Sequence, residues 1–240
     1  MKTDSTIRLG RIQYRELAGL AKQAGCCLGL STFEKLGSAW GMFNPFTVAV
    51  HEDVSKPESE LEERVVIELA TTVDLARLRS VVRPEIDWAK LDDDEAFKFI
   101  THHEIGHYVD NHFGFNAFGL ADTDARNDCL RVISFANEVL ADRYAWSQIR
   151  PDEPVPLSEN GKRQQEVVAD ALALLEKHIP RSRRAPRSLP AGQYQFVAQS
   201  MLLTDLHLGY VGPRVSPELV EMTRTRRRVH RRDTRQRAFA

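Results

Sequence analysis

Apolar residues recur at helical spacing from Ile12 to Ala24. Leu17, Leu20, Ala21 and Ala24 share one face there, and Gly25 stands where a helix would close. After Asn44-Pro45 the pattern changes. Phe46-Thr-Val-Ala-Val-His51 is a run of apolar and β-branched residues preceded by proline, which predicts a strand. Over residues 61–82, the positions of Leu61, Val65, Ile67, Leu69, Leu75 and Leu78 predict a helix. Another helix is predicted from Ala96 to Phe113, with Asp92 or Asp93 as its cap, Glu95 favouring the N-terminal dipole and Gly114 as its stop. A long helix follows from about Asn127 to Ile149. It ends at Arg150-Pro151, because the residue before a proline is pushed out of helical conformation.

The stretch from Asp152 to Gly161, beside Pro151 and with two further prolines, marks the best domain boundary. It separates a domain over residues 1–151 from a helical extension over residues 152–240. Within the extension, helices are predicted near Arg163–His178 and Ala191–His207, joined by an Arg/Pro-rich connection over 181–190. A last helix opens at Ser216-Pro217-Glu218, a cap followed by proline in the first helical position. No internal repeat interrupts this order.

Composition narrows the class. A chain of 240 residues that is 42% hydrophobic and 28% charged can bury a sizeable core. No apolar run approaches the ~20 residues of a membrane span. The polar start, Met-Lys-Thr-Asp-Ser, leads into no apolar segment, so no secretory signal is expected. Three cysteines, two of them adjacent (Cys26 and Cys27), form neither a disulfide framework nor a paired thiolate ligand set. Cys26-Cys27 therefore reads as a pair of small apolar residues, and the expected compartment is the cytoplasm. Asp92-Asp93-Asp94 lacks the loop spacing of a calcium site.

Net charge is −1, but it is unevenly spread. Residues 181–240 carry 13 arginines against 4 acids, which leaves the rest of the chain acidic. Eight of those arginines lie between Arg224 and Arg237. Such a tail suits the phosphates of nucleic acid or an acidic partner, or it folds back on the acidic body. The scarcity of aromatic residues among the arginines argues against stacking on single strands.

The chemistry concentrates in His103-Glu104-Ile105-Gly106-His107, an H-E-x-x-H placed inside a predicted helix. Residues four apart differ by about 40° around a helix, so both imidazoles project from one face toward a shared ion. Neutral imidazole suits Zn2+, and Glu104 beside the pair is placed to act on water at the metal as a general base. A catalytic zinc also needs a third protein ligand. One scheme asks for glycine three residues after the second histidine and another histidine three later; here those positions are Asp110 and Phe113, so it fails. His112 would point about 140° away on a continuing helix. The other scheme draws a glutamate from a separate helix. Glu138 supplies it, and Asp142, one turn on, would accept a hydrogen bond from a ligand imidazole and fix its tautomer. Ser134, Ala141 and Ala145 are the small residues that would let the two helices approach. Asp128, Asp110 and His51 are the next ligand candidates. His102, His112 and His207 are read as structural or exposed, and Tyr108 and Tyr144 remain open as oxyanion donors.

These residues together resemble the ImmA/IrrE metallopeptidases. The resemblance lies in His103-Glu104-Ile-Gly-His107 followed by Asn137-Glu138-Val-Leu-Ala-Asp142-Arg-Tyr-Ala145, and it covers residues 46–149. It implies an α+β, mostly helical, zincin-like (gluzincin) domain with a small β-sheet, holding zinc through His103, His107 and Glu138 with Glu104 as base. It further implies a zinc-dependent endopeptidase with a narrow protein substrate, such as a transcriptional repressor. Many members also carry a repressor-type helix-turn-helix; the stretch here nearest to one is Tyr14-Arg-Glu-Leu-Ala-Gly…Gly25…Leu30-Ser-Thr-Phe-Glu34. Two other classes stay open: a DNA-binding transcriptional regulator in which zinc is structural, and a metal-containing interaction module without hydrolytic activity. The basic tail lies outside the common pattern.

Overall fold

The computed structural model describes residues 5–51, 62–183 and 209–210, with side chains described for 5–45 and 65–183. Residues Met1–Pro45 and Val66–Ser188 form one compact unit, and Phe46–Val65 with Leu189–Ala240 form a second. In the second, Val50 and His51 pair in parallel with Gly209 and Tyr210. The predicted helices at 191–207 and after Ser216, His207 and the arginine tail lie outside the described residues.

The first unit is mixed α/β, mostly helical with small sheets. Helix α1 (Arg11–Gln23) buries Leu17 and Ala21, as the spacing predicts. It closes at Gly25, whose φ of +86° is a left-handed conformation that favours glycine. The next segment, Cys26–Ser31, is strand β2. The second helix of a helix-turn-helix is therefore absent from the stretch Tyr14 to Glu34. Cys26 is buried and Cys27 half-buried. Strand β3 (Gly41–His51) contains the predicted Phe46–His51 strand and starts five residues earlier.

Residues 61–82 overturn the helical expectation. They form strand β4 (Glu62–Ala70), strand β5 (Thr72–Asp74) and a short helix α2 (Leu75–Arg79). The physical reason is an alternation with period two. Val65, Ile67 and Leu69 are buried while Val66 and Glu68 are half-exposed, and β-branched residues fill the run. Strands β2, β4 and β3 stand in that order in one sheet. Strand β1 (Thr6–Arg8) pairs antiparallel with β5, Ile7 opposite Val73.

Two packed helices carry the centre of the unit. Helix α3 (Ala96–Val109) has buried residues on all sides, and it packs against α5 (Thr123–Ile149). No side chain caps α3; Asp92 and Asp93 are instead partners of Arg150 and Arg79, and the backbone N–H of Asp92 donates to Glu95. Helix α3 also stops four residues before its predicted end. Asn137 grips the chain there: its Oδ1 accepts from His112 N and its Nδ2 donates to His112 O, both at 2.8 Å. Asp110 and Asn111 become strand β6 and pair antiparallel with strand β7 (Ser182–Arg183). Gly114 opens helix α4 (Gly114–Phe118) rather than ending α3.

Helix α5 begins a turn earlier than its apolar pattern indicates, because Asp122 caps it by accepting from Asp124 N and Ala125 N. Helix α6 (Glu159–His178) likewise begins early, capped by Ser158. One face of α6 packs on α5 and α4: Leu175 and Ile179 join Ala117, Cys129, Ile133 and Ala136 in a buried cluster. Among the described residues no helix is long and apolar enough to cross a membrane.

Candidate metal centre

Helices α3 and α5 touch through residues without bulk. A Cβ placed on Gly106 would lie 2.9 Å from the Cα of Ala141 and 3.2 Å from its carbonyl oxygen. The glycine between the two histidines is therefore what lets α5 approach this closely. Ala141 and Ala145 are fully buried at the contact, but Ser134 is exposed and takes no part in it.

This approach brings His103, His107 and Glu138 together. Nε2 of His103 and Nε2 of His107 are 3.1 Å apart, and each lies 3.4 Å from a Glu138 carboxylate oxygen. Zinc bonded at ~2.0–2.1 Å in tetrahedral geometry has ligand atoms ~3.3 Å apart, so these separations match one small cation at the centre. All three ligand atoms fall within 4.8 Å of one another.

Asp142 anchors the arrangement. Fully buried, it accepts a hydrogen bond from Nδ1 of His103 at 2.8 Å. That bond assigns the ring proton to Nδ1 and leaves the Nε2 lone pair facing Glu138 and His107. Trp88, in a 3₁₀ turn at Trp88–Lys90, donates its indole N–H to the same oxygen at 3.3 Å. Arg83 donates from Nε to the other Asp142 oxygen at 2.9 Å and from Nη2 to Glu138 at 2.6 Å, with its guanidinium over the Trp88 ring.

Glu104 is buried beside the histidines. Strand β3 closes over it so tightly that a Cβ on Gly41 would fall 2.4 Å from its carboxylate oxygen. Glu104, His103, His107 and Glu138 line a cavity of about 640 Å³, walled by Trp40, Met42, Phe43 and Trp88 among others. The Phe43 ring stacks 6.2 Å from that of His107. The residues that could hold a cation thus stand at an open cleft of mixed polar and apolar lining, with the Glu104 carboxylate in its wall.

Electrostatics favour a cation here. Burial would lower the His103 imidazolium, but hydrogen bonds to Asp142 and Glu138 outweigh it and carry the pKa up to about 10. Burial would raise Glu138, yet hydrogen bonds with His103 and His107 hold it far below the ordinary carboxylate range. Glu104 is pushed up by burial, a tendency the two histidines oppose. A divalent ion would take the place of protons on these imidazoles, and two imidazoles with one carboxylate suit zinc among the common divalent metals. The donor set fits the group.

The other candidate ligands stand elsewhere. Asp128 pairs with Arg131, and Asp110 with Arg181. The side chain of His51 lies outside the described residues. His112 is buried, its Nδ1–H donating to Ile179 O at 2.9 Å; the end of α3 at Val109, rather than a continuing helix, decides where it points. His102 is buried with its ring 6.3 Å from Tyr144, and burial holds its pKa down to about 4. Neither Tyr108 nor Tyr144 lines the cavity. Nor do the ligands form a solvated face with surface acids: Asp142 is wholly enclosed and His103 and Glu104 nearly so.

Sequence reading missed Arg83, Trp88 and Gly41. Arg83 and Trp88 lie more than fifty residues before their Asp142 partner and carry no periodic signal. Gly41, in Trp40-Gly41-Met42, is marked only by being a glycine at a strand start, where a close backbone approach is one reading. No protein-family model matches the chain, and no curated protein or solved structure matches it either.

Proposed function

We propose that this chain is a zinc-dependent endopeptidase with a zincin-like fold, related to the ImmA/IrrE metallopeptidases. On this reading it cleaves a regulatory protein such as a transcriptional repressor in the cytoplasm. The observation that carries the proposal is the convergence of His103, His107 and Glu138 beside Glu104 at an open cleft. A purely structural metal site has no need of a buried carboxylate next to its ligands or of a cavity at its side.

His103, His107 and Glu138 would hold the ion. Zinc in such a setting acts as a Lewis acid, lowering the pKa of water toward ~7 and polarising a carbonyl. The remaining work falls to the chain. Glu104, whose burial favours proton uptake, takes the proton of the attacking water and returns it to the leaving amine. Gly41 leaves the space that this carboxylate occupies, since a Cβ there would collide with Glu104 and with Ile100. Asp142 keeps His103 in the tautomer that presents Nε2. Trp40, Phe43 and Trp88 supply apolar wall to the cleft beside these charges.

The test is Glu104→Gln in the full chain, co-expressed with candidate regulatory proteins and followed by N-terminal sequencing of any shortened product. The variant keeps one zinc per chain and yields no new terminus, whereas the wild type does. Cleavage by the variant at the wild-type rate would overturn the proposed mechanism.

A further inference from the structure

Arg83 is a buried charge in the cavity wall with no part in moving protons or holding the ion. Resting on the metal-centre reading above, we propose that Arg83 is the positioning residue for Glu138. It engages one carboxylate oxygen, so that Glu138 offers the ion the other and a coordination position stays open.

Several contacts fix the guanidinium. Nη2 donates to Glu138 Oε2 at 2.6 Å, and Nε donates to Asp142 Oδ2 at 2.9 Å. Its Cζ lies over the Trp88 ring, 4.6 Å from the centroid, and Trp88 itself donates to Asp142. Two of its N–H donors are therefore committed to two carboxylates one turn apart on α5. Only a planar fork can serve both; a lysine ammonium is a single point charge on a flexible stem.

Glu138 needs such a partner. Its side chain is 39% exposed, while that of Asp142 is 1% exposed, so packing alone does not choose its rotamer. With both oxygens free, a carboxylate can close on a cation through the pair and fill the position that water or substrate requires. Oε2 and Oε1 lie equally close, at 3.4 Å, to Nε2 of His103 and of His107 respectively, and the short, charge-assisted bond to Oε2 makes that oxygen the poorer donor and leaves Oε1 for the ion. The guanidinium also offsets part of the ligand charge, which keeps the centre electrophilic.

The experiment uses the full chain stripped of metal and titrated with cobalt(II), whose visible absorption is intense in four-coordinate sites and weak at higher coordination. Wild type, Arg83→Gln, Arg83→Lys and His103→Ala are compared. Wild type binds one cobalt with an intense band. Both Arg83 variants raise the cobalt Kd by about 10–100-fold and weaken the band, since lysine restores charge but not the fork. The lysine variant retains the buried cation should the glutamine variant fail to fold. Wild-type Kd and band intensity in the folded variants would overturn the role of Arg83. Absence of cobalt binding by wild type, or binding indifferent to His103→Ala, would overturn the metal centre itself.

Discussion

Gly106→Ala is the smallest change that tests whether two touching helices build the site. The new Cβ would stand 2.9 Å from Ala141 Cα and 3.2 Å from Ala141 O, against an ordinary carbon–carbon contact of ~3.5–4.0 Å. These are backbone atoms of α5, and the third neighbour, Tyr144 Cβ at 3.2 Å, is fixed to that backbone, so nothing can swing aside. The helices must separate by roughly 0.6–1 Å, an overpacking that costs about 1–3 kcal/mol. Alanine returns about 1 kcal/mol through its better helix propensity. Net destabilisation is therefore modest, about 0–2 kcal/mol on those two figures. Zinc affinity is the sharper readout, because Glu138 rides on α5 while both histidines ride on α3, and zinc–ligand distances tolerate only ~0.2 Å. The expected result is a zinc Kd raised at least tenfold in a variant that still folds, measured by competition with a chromogenic chelator and by urea denaturation. Wild-type affinity together with wild-type stability would refute the reasoning.

Other perturbations separate the parts of the site. Gly41→Ala drives a methyl group to 2.4 Å from the Glu104 carboxylate, so zinc content should hold while peptide cleavage falls at least tenfold; equal loss of both would place Gly41 in metal binding instead. Asp142→Ala removes the acceptor of His103, Trp88 and Arg83 and should cost about 3 kcal/mol in urea unfolding, the low end for a broken buried pair because Arg83 keeps Glu138; a cost below about 1 kcal/mol would contradict the role given to Asp142. Glu95 is held below the ordinary carboxylate range, chiefly by its hydrogen bond to Arg150. Its stabilisation is therefore complete above the unfolded-state pKa and disappears as pH falls through the lower folded-state value. Glu95→Gln should cost about 0.5–1 kcal/mol at pH 7, after allowance for solvent screening, and progressively less below pH ~4; a difference that grows with acidity would contradict the pairing.

The cluster of His103, His107 and Glu138 was legible because helical periodicity turns spacing into direction. His103 and His107 are one turn apart, as are Glu138 and Asp142, and each pair does share a face. The glycine that lets those helices touch sat within the motif, but its purpose became visible only through Ala141. The β-sheet was half legible. Val65, Ile67 and Leu69 alternate, yet Leu61, Leu75 and Leu78 extend the run into something that also scans as a helix, and a window covering all of them chose the wrong period. The end of α3 was not legible at all. Nothing near Val109 breaks a helix; the turn is imposed by Asn137, a residue of another helix. Arg83 was hidden for the same reason, since its meaning lies in two carboxylates that chain order keeps far away. Local pattern thus found the residues that act as pairs on one helix, and it missed those whose partners are tertiary.

Zinc content of the purified full chain, measured by elemental analysis after dialysis against metal-free buffer, tests the metal centre most directly. One zinc per chain is expected in wild type, with loss of that zinc in the His103→Ala, His107→Ala and Glu138→Ala variants. A wild-type chain that retains no zinc, or a Glu138→Ala variant that retains all of it, would contradict the site described here.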